Sequence, residues 1–106
     1  MPKEIGKASA EQIKQWKAKY GDVYVFASVD ENGNTHYTYV KKPDLNIISA
    51  AAKYATDDPI KSGEVMLNSI RLGGSDRVMD DTSMILGIFE KLGELTKKAQ
   101  TSLGKL

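Results

Sequence analysis

The segment Asp22 to Pro43, DVYVFASVDENGNTHYTYVKKP, constrains this chain more than any other. Two runs rich in β-branched and aromatic residues flank Asp30-Glu31-Asn32-Gly33-Asn34. Asn-Gly is a strong hairpin signal, because both central residues of a type I′ turn need φ > 0. Pro43 closes the second run, since proline offers no ladder donor. With Asn32-Gly33 as a two-residue turn, Glu31 stands opposite Asn34, Phe26 opposite Tyr39, Ser28 opposite Tyr37 and Tyr24 opposite Lys41. One face then carries Tyr24, Phe26, Tyr37 and Tyr39. The other carries Val23, Val25, Ala27, Val29, His36, Thr38 and Val40. A slip of one residue through a longer loop mixes the two sets. Both faces are largely apolar, and a lone hairpin is marginal in water. One face is expected to cover helices, and the other to meet the long C-terminal helix or a partner.

The rest of the chain reads as helix. Residues 1–8 are polar and are expected to form a flexible lead. Ser9 and Gln12 form a capping box that starts a helix over Ala10 to Tyr20. Ile13, Trp16 and Tyr20 share one face of it, and Gly21 stands at its end. Asp44 caps a second helix, Leu45 to Ala55, with a small-residue stripe of Leu45, Ile48, Ala51, Ala52 and Ala55. Asp58 before Pro59 starts a third, which runs to about Arg71 and carries Ile60, Leu67 and Ile70. Leu72-Gly73-Gly74-Ser75-Asp76 reads as a loop. Asp80 or Asp81 caps the last helix, Thr82 to Ser102, whose stripe is Ile85, Ile88, Phe89, Leu92, Leu95 and Ala99. Gly87 and Gly93 weaken it by about 1 kcal/mol each relative to Ala. Residues 103–106 extend the stripe as a frayed tail. The expected architecture is a single small α+β domain over residues 9–102, one antiparallel β-hairpin packed with about four α-helices.

Little in the chain points to chemistry. Asp57-Asp58 and Asp80-Asp81 precede helices, and adjacent carboxylates diverge, so capping explains them better than an acid/base dyad. Asp76 to Asp81 lacks the spacing and the distal Glu of a calcium loop. His36 is the single histidine. With no cysteine it cannot build a zinc site, and no Ser or Asp is spaced to imply a triad. It is expected to be a partly exposed strand residue. Gly73-Gly74-Ser75 lacks the further glycines and the Lys of a phosphate loop.

The 106 residues suffice for one domain with a modest core. The net charge of +1 supplies no global field for nucleic acid or a membrane surface. Trp16, Tyr20, Tyr24, Tyr37 and Tyr39 beside Lys41 and Lys42 invite a base-stacking reading, but no basic stripe accompanies them. Absent cysteines fit a reducing compartment, the N-terminus has no apolar signal core, and no apolar run is long enough to span a bilayer. No catalytic, cofactor or metal site, no small-molecule substrate, and no nucleic-acid or membrane partner is expected.

The run from Trp16 to Gly74 resembles the tail assembly chaperones and related short proteins of tailed bacteriophages and prophages. The matching residues are Trp16-Lys17-Ala18-Lys19-Tyr20-Gly21 and the strand exit Tyr39-Val40-Lys41-Lys42-Pro43. They continue through Asp58-Pro59 and Glu64-Val65-Met66-Leu67-Asn68 to Leu72-Gly73-Gly74. Lys42 departs from the Arg often found there, and the last helix matches only in being amphipathic. The resemblance implies a non-enzymatic protein of the bacterial host cytoplasm that binds apolar helices of a tape measure protein and self-associates. A small structural or connector protein of the virion is the alternative, as is another protein-interaction module. Leftover apolar surface is the expected means of binding. The candidate partner-binding residues are Tyr24, Phe26, Tyr37 and Tyr39 on the hairpin, and Leu92, Leu95 and Leu103 on the C-terminal stripe.

Overall fold

In a computed structural model, which describes residues 2–96, 98 and 100–106, the hairpin is the centre of a four-stranded mixed sheet. The chain runs β1 (Glu4–Ile5), α1 (Ala10–Tyr20), β2 (Val23–Val29), β3 (Thr35–Lys41), α2 (Leu45–Ala52), α3 (Pro59–Ile70), β4 (Arg71–Gly74), a 3₁₀ turn (Asp76–Asp80), α4 (Thr82–Lys91) and a second 3₁₀ turn (Leu92–Thr96). The fold is α+β in one small domain, as the sequence pattern indicates. Strand β3 is central. One side of it pairs antiparallel with β2 along its whole length. The other side is shared: β1 runs parallel to Thr35 and His36, and β4 runs antiparallel from Thr38 to Val40.

The hairpin register differs from the expectation by one residue. Phe26 pairs with Thr38, Ala27 with Tyr37 and Val25 with Tyr39. The cause is the loop. Glu31-Asn32-Gly33 forms a three-residue connection in which Gly33 has φ 83°, and the Asp30 N–H donates to the Asn34 carbonyl at 2.9 Å. Asp30 Oδ1 accepts from both the Asn32 and Asn34 N–H groups at 2.9 Å. This carboxylate turn favours the longer loop over the two-residue form. Every side-chain assignment on one strand is therefore exchanged. Tyr24, Phe26, Ser28, His36, Thr38 and Val40 share one face, and Val25, Ala27, Tyr37 and Tyr39 share the other.

Each face has its own cover. Val40 packs with Leu67 and Ile70 of α3, Val78, Met84 and Ile88 of α4, Leu92 and Leu95, with Phe26 at the margin. This is the core. On the opposite face α1 lays Trp16 against Tyr39, ring centroids 5.4 Å apart. The Ala8 N–H donates to the Tyr39 hydroxyl at 3.1 Å.

Capping follows the sequence signals. The side chains of Ser9, Asp44, Asp58 and Asp81 each accept from a backbone N–H of the first turn they precede. Three other expectations are corrected. The lead is not loose where β1 forms: the Lys3 N–H donates to Asn34 Oδ1, and Thr35 N–H donates to the Lys3 carbonyl. The Leu72-Gly73-Gly74 loop is a strand, because its glycines allow a close approach that larger residues would block. A Cβ on Gly73 would lie 3.0 Å from the Trp16 ring, and one on Gly74 would lie 2.2 Å from the Tyr37 carbonyl oxygen. Gly74 also has φ 125°. The last helix ends at Lys91 rather than Ser102, and its stripe continues as a 3₁₀ turn through Leu92 and Leu95. The expected stripe position Ala99 lies outside the described residues.

Gly74→Ala combines the backbone strain with a clash and should lower stability by about 2 kcal/mol or more. Gly87→Ala in α4, where a Cβ would meet nothing, should raise it by about 0.5–1 kcal/mol. Denaturant titration of the two variants against the wild type measures both signs.

Candidate functional site

Strand alternation puts His36 on the same face of β3 as Val40, the core face, where it is fully buried. Its Nε2 lies 2.8 Å from Asp30 Oδ2 and its Nδ1 lies 2.8 Å from Ser75 Oγ. The carboxylate can only accept, so Nε2 carries the proton. In the neutral ring Nδ1 then accepts from the Ser75 hydroxyl. Three elements are joined by one imidazole: the hairpin turn, β3 and the residue after β4. The expectation of a partly exposed His36 is thus corrected. Sequence spacing could not show it, because Ser75 is brought 39 positions back by the β4 pairing.

The three groups have the residue types of a nucleophilic triad but not its accessibility. Ser75 is 4% exposed, and its N–H is committed to the Tyr37 carbonyl at 2.8 Å. The Gly6 backbone packs against the backbone of Gly74 and Ser75. A substrate carbonyl has no approach to Oγ in this arrangement, and the chain of bonds reads as a buried polar tie. The His36 N–H holds the Asp30 carboxyl below its usual range, aided by the N–H groups of Asn34 and Asn32. Near the surface, the Tyr37 hydroxyl donates to Glu4 at 2.9 Å, and Lys7 reaches the same carboxylate at 3.2 Å. These bonds lower the pKa of Glu4. Among the described residues no group of three His, Asp or Glu side chains is placed to hold a metal ion.

The four partner-binding residues expected on one hairpin face do not share it. Tyr24 and Phe26 lie on the core face, and Tyr37 and Tyr39 lie on the opposite face beneath α1. Tyr39, Leu92 and Leu95 are buried, so their side chains serve packing. Tyr24 is 39% exposed, and Leu103 lies wholly in solvent.

Two apolar grooves emerge instead. The first, about 580 Å³, lies between α3 and α4. Met79, Ile85 and Phe89 line it, and Ile60 and Leu86, 48% and 44% exposed, flank it. Glu64 and Asp80 stand at its margin. Beside this groove the two helices approach closely, since a Cβ on Gly63 would come within 2.8 Å of the Phe89 ring. The second groove, about 510 Å³, lies between β2 and α4. Leu86 and Met79 escaped sequence reasoning because each falls beside the main apolar stripe. No protein-family model, curated protein or solved structure matches this chain.

One variant tests the polar tie and another the unpaired hydroxyl beside it. The Asp30 pKa is lower folded than unfolded, so its ionised form contributes stability above its unfolded value, about 3.9. That contribution is lost as pH falls through the lower folded value. Asp30→Asn should therefore be destabilising at neutral pH, and the gap to the wild type should close in acid. Thr38 is fully buried, and its hydroxyl oxygen has no hydrogen-bond partner. Thr38→Val removes that unsatisfied group at nearly constant shape and should raise stability by about 1 kcal/mol. Thermal unfolding at fixed pH reads this out.

Proposed function

We propose that this protein is a non-enzymatic tail assembly chaperone-like protein of a tailed phage or prophage. It works in the cytoplasm of the bacterial host and holds apolar helices of a tape measure protein until assembly. The observation that carries the reading is the α3–α4 groove, where apolar side chains stay in water after the core is complete. A groove between two helices suits an amphipathic helix, which would insert apolar side chains at positions three and four apart. The acidic margin of Glu64 and Asp80 favours a helix with Lys or Arg on its flanks. Reversible cover of this kind needs spare apolar area and no reactive group. The resemblance from Trp16 to Gly74 supports the same reading and supplies the nature of the partner.

Co-expression with the tape measure protein encoded beside it should yield a complex and keep that protein soluble. Leu86→Asp together with Ile60→Asp should weaken the complex at least about tenfold, by burying charge where apolar contact was. The circular dichroism spectrum should stay unchanged, because both side chains are exposed. Absence of any complex with the wild type would defeat the reading. Retention of the protein in purified particles, seen by mass spectrometry, would favour the structural or connector role instead.

A further inference from the structure

Among the described residues, strand β2 has a neighbour on one side only. The Asp30 N–H pairs with the Asn34 carbonyl, and the β2–β3 register runs from there to Val23 without a bulge. Antiparallel alternation then turns the N–H and C=O groups of Tyr24, Phe26 and Ser28 toward β3, and those of Val23, Val25, Ala27 and Val29 toward the open edge. The groove between β2 and α4 follows that edge from Tyr24 to Val29. On the opposite face α1 stops short of it, since Val25 and Val29 are 51% and 65% exposed. Edge strands are ordinarily guarded by a charge, a proline or a bulge, because their free backbone groups invite another strand. Strand β2, VYVFASV, has none of the three.

The charge pattern says what such an edge can meet. The charges around it lie off the strand. Glu90, Lys91 and Glu94 give the α4 wall of the groove both signs, Asp22 precedes the strand, and Asp30 and Glu31 follow it. A twofold contact between like edges sets a strand against its own sequence, so a charged strand would meet like charge and a neutral one does not. The order of side chains is also self-complementary. With two β2 strands antiparallel and Phe26 on the twofold axis, Val23 faces Val29, Tyr24 faces Ser28 and Val25 faces Ala27. Tyr24 and Val25 thus each have a smaller side chain opposite, and all four outward residues of each strand exchange backbone hydrogen bonds. We propose that the β2 edge pairs with the β2 edge of a second copy in this register, joining two four-stranded sheets into one. The like-charge contact of this register, Asp22 against Asp30, falls at the strand ends, and the Asp30 carboxylate is turned inward to His36 and is 5% exposed. Seven residues a side is well below the roughly 20–30 of a standard interface, so the dimer is reversible. This surface is separate from the α3–α4 groove, and the proposal stands whether or not that groove binds a partner.

The chain lacks cysteine, so introduced thiols report cleanly. Full-length Tyr24→Cys and Ser28→Cys proteins, mixed under mild oxidation, should give the mixed disulfide dimer as the main product. Either variant alone should stay uncross-linked, because an offset of four residues holds its two thiols about 14 Å apart. The wild type should dimerise reversibly in ultracentrifugation. Val25→Lys, at an exposed position, should weaken that dimer about tenfold with an unchanged circular dichroism spectrum. Leu86→Asp with Ile60→Asp should leave it intact, which separates this contact from the α3–α4 groove. A wild-type monomer at all concentrations overturns the proposal. So does a dimer that Val25→Lys leaves unchanged, or one that the changes at Leu86 and Ile60 dissolve. Cross-linking mainly of Ser28→Cys to itself also overturns it, since that requires another register.

Discussion

The structure depends on β3 being paired on both sides, and on the buried imidazole that holds its two neighbours in place. One hydrogen bond of His36 closes its own hairpin turn, and the other reaches a residue 39 positions away. Asp30 fixes the turn, and Ser75 fixes the exit of β4. Leaving either ring nitrogen unpaired at zero exposure would cost about 1–3 kcal/mol, so the tie is both stabilising and specific. It admits one hairpin register, because a slip of one residue would turn the ring away from both partners.

With that register set, the division of labour between the faces follows. Val40 and Thr38 go to the helical core, while Tyr39 goes to Trp16 and α1. The second layer is thin: α1 has no fully buried residue, and its hold on the sheet rests on aromatic contact and the Tyr39 hydroxyl. Glycine makes that contact possible. Gly73 leaves room for the indole, and Gly74 lets β4 lie against the Tyr37 carbonyl. The same two residues that read as a break in the chain are what allow a strand at that position.

The candidate surfaces were only partly legible from sequence. The amphipathic stripe of the last helix correctly marked Ile88, Leu92 and Leu95 as apolar, but burial assigned them to the core. Exposure fell to Ile60 and Leu86 on the helices, and to Val25 and Val29 on the strand that lies at the sheet edge. An edge is a property of the sheet and leaves no mark in a single strand. The same holds for Asp30, His36 and Ser75, each an ordinary turn or strand residue until β4 folds back.

Local physics was enough for the sequence to determine the hairpin, the four helix starts and the α+β class. A capping carboxylate, a proline at the first helical position and a glycine at the hairpin tip all act within a few residues. Tertiary packing alone decided the register, the two short strands β1 and β4, the early end of α4 and which apolar side chains stay in water. Those outcomes turn on close approach between distant segments, where a missing Cβ or one buried hydrogen bond outweighs any local preference.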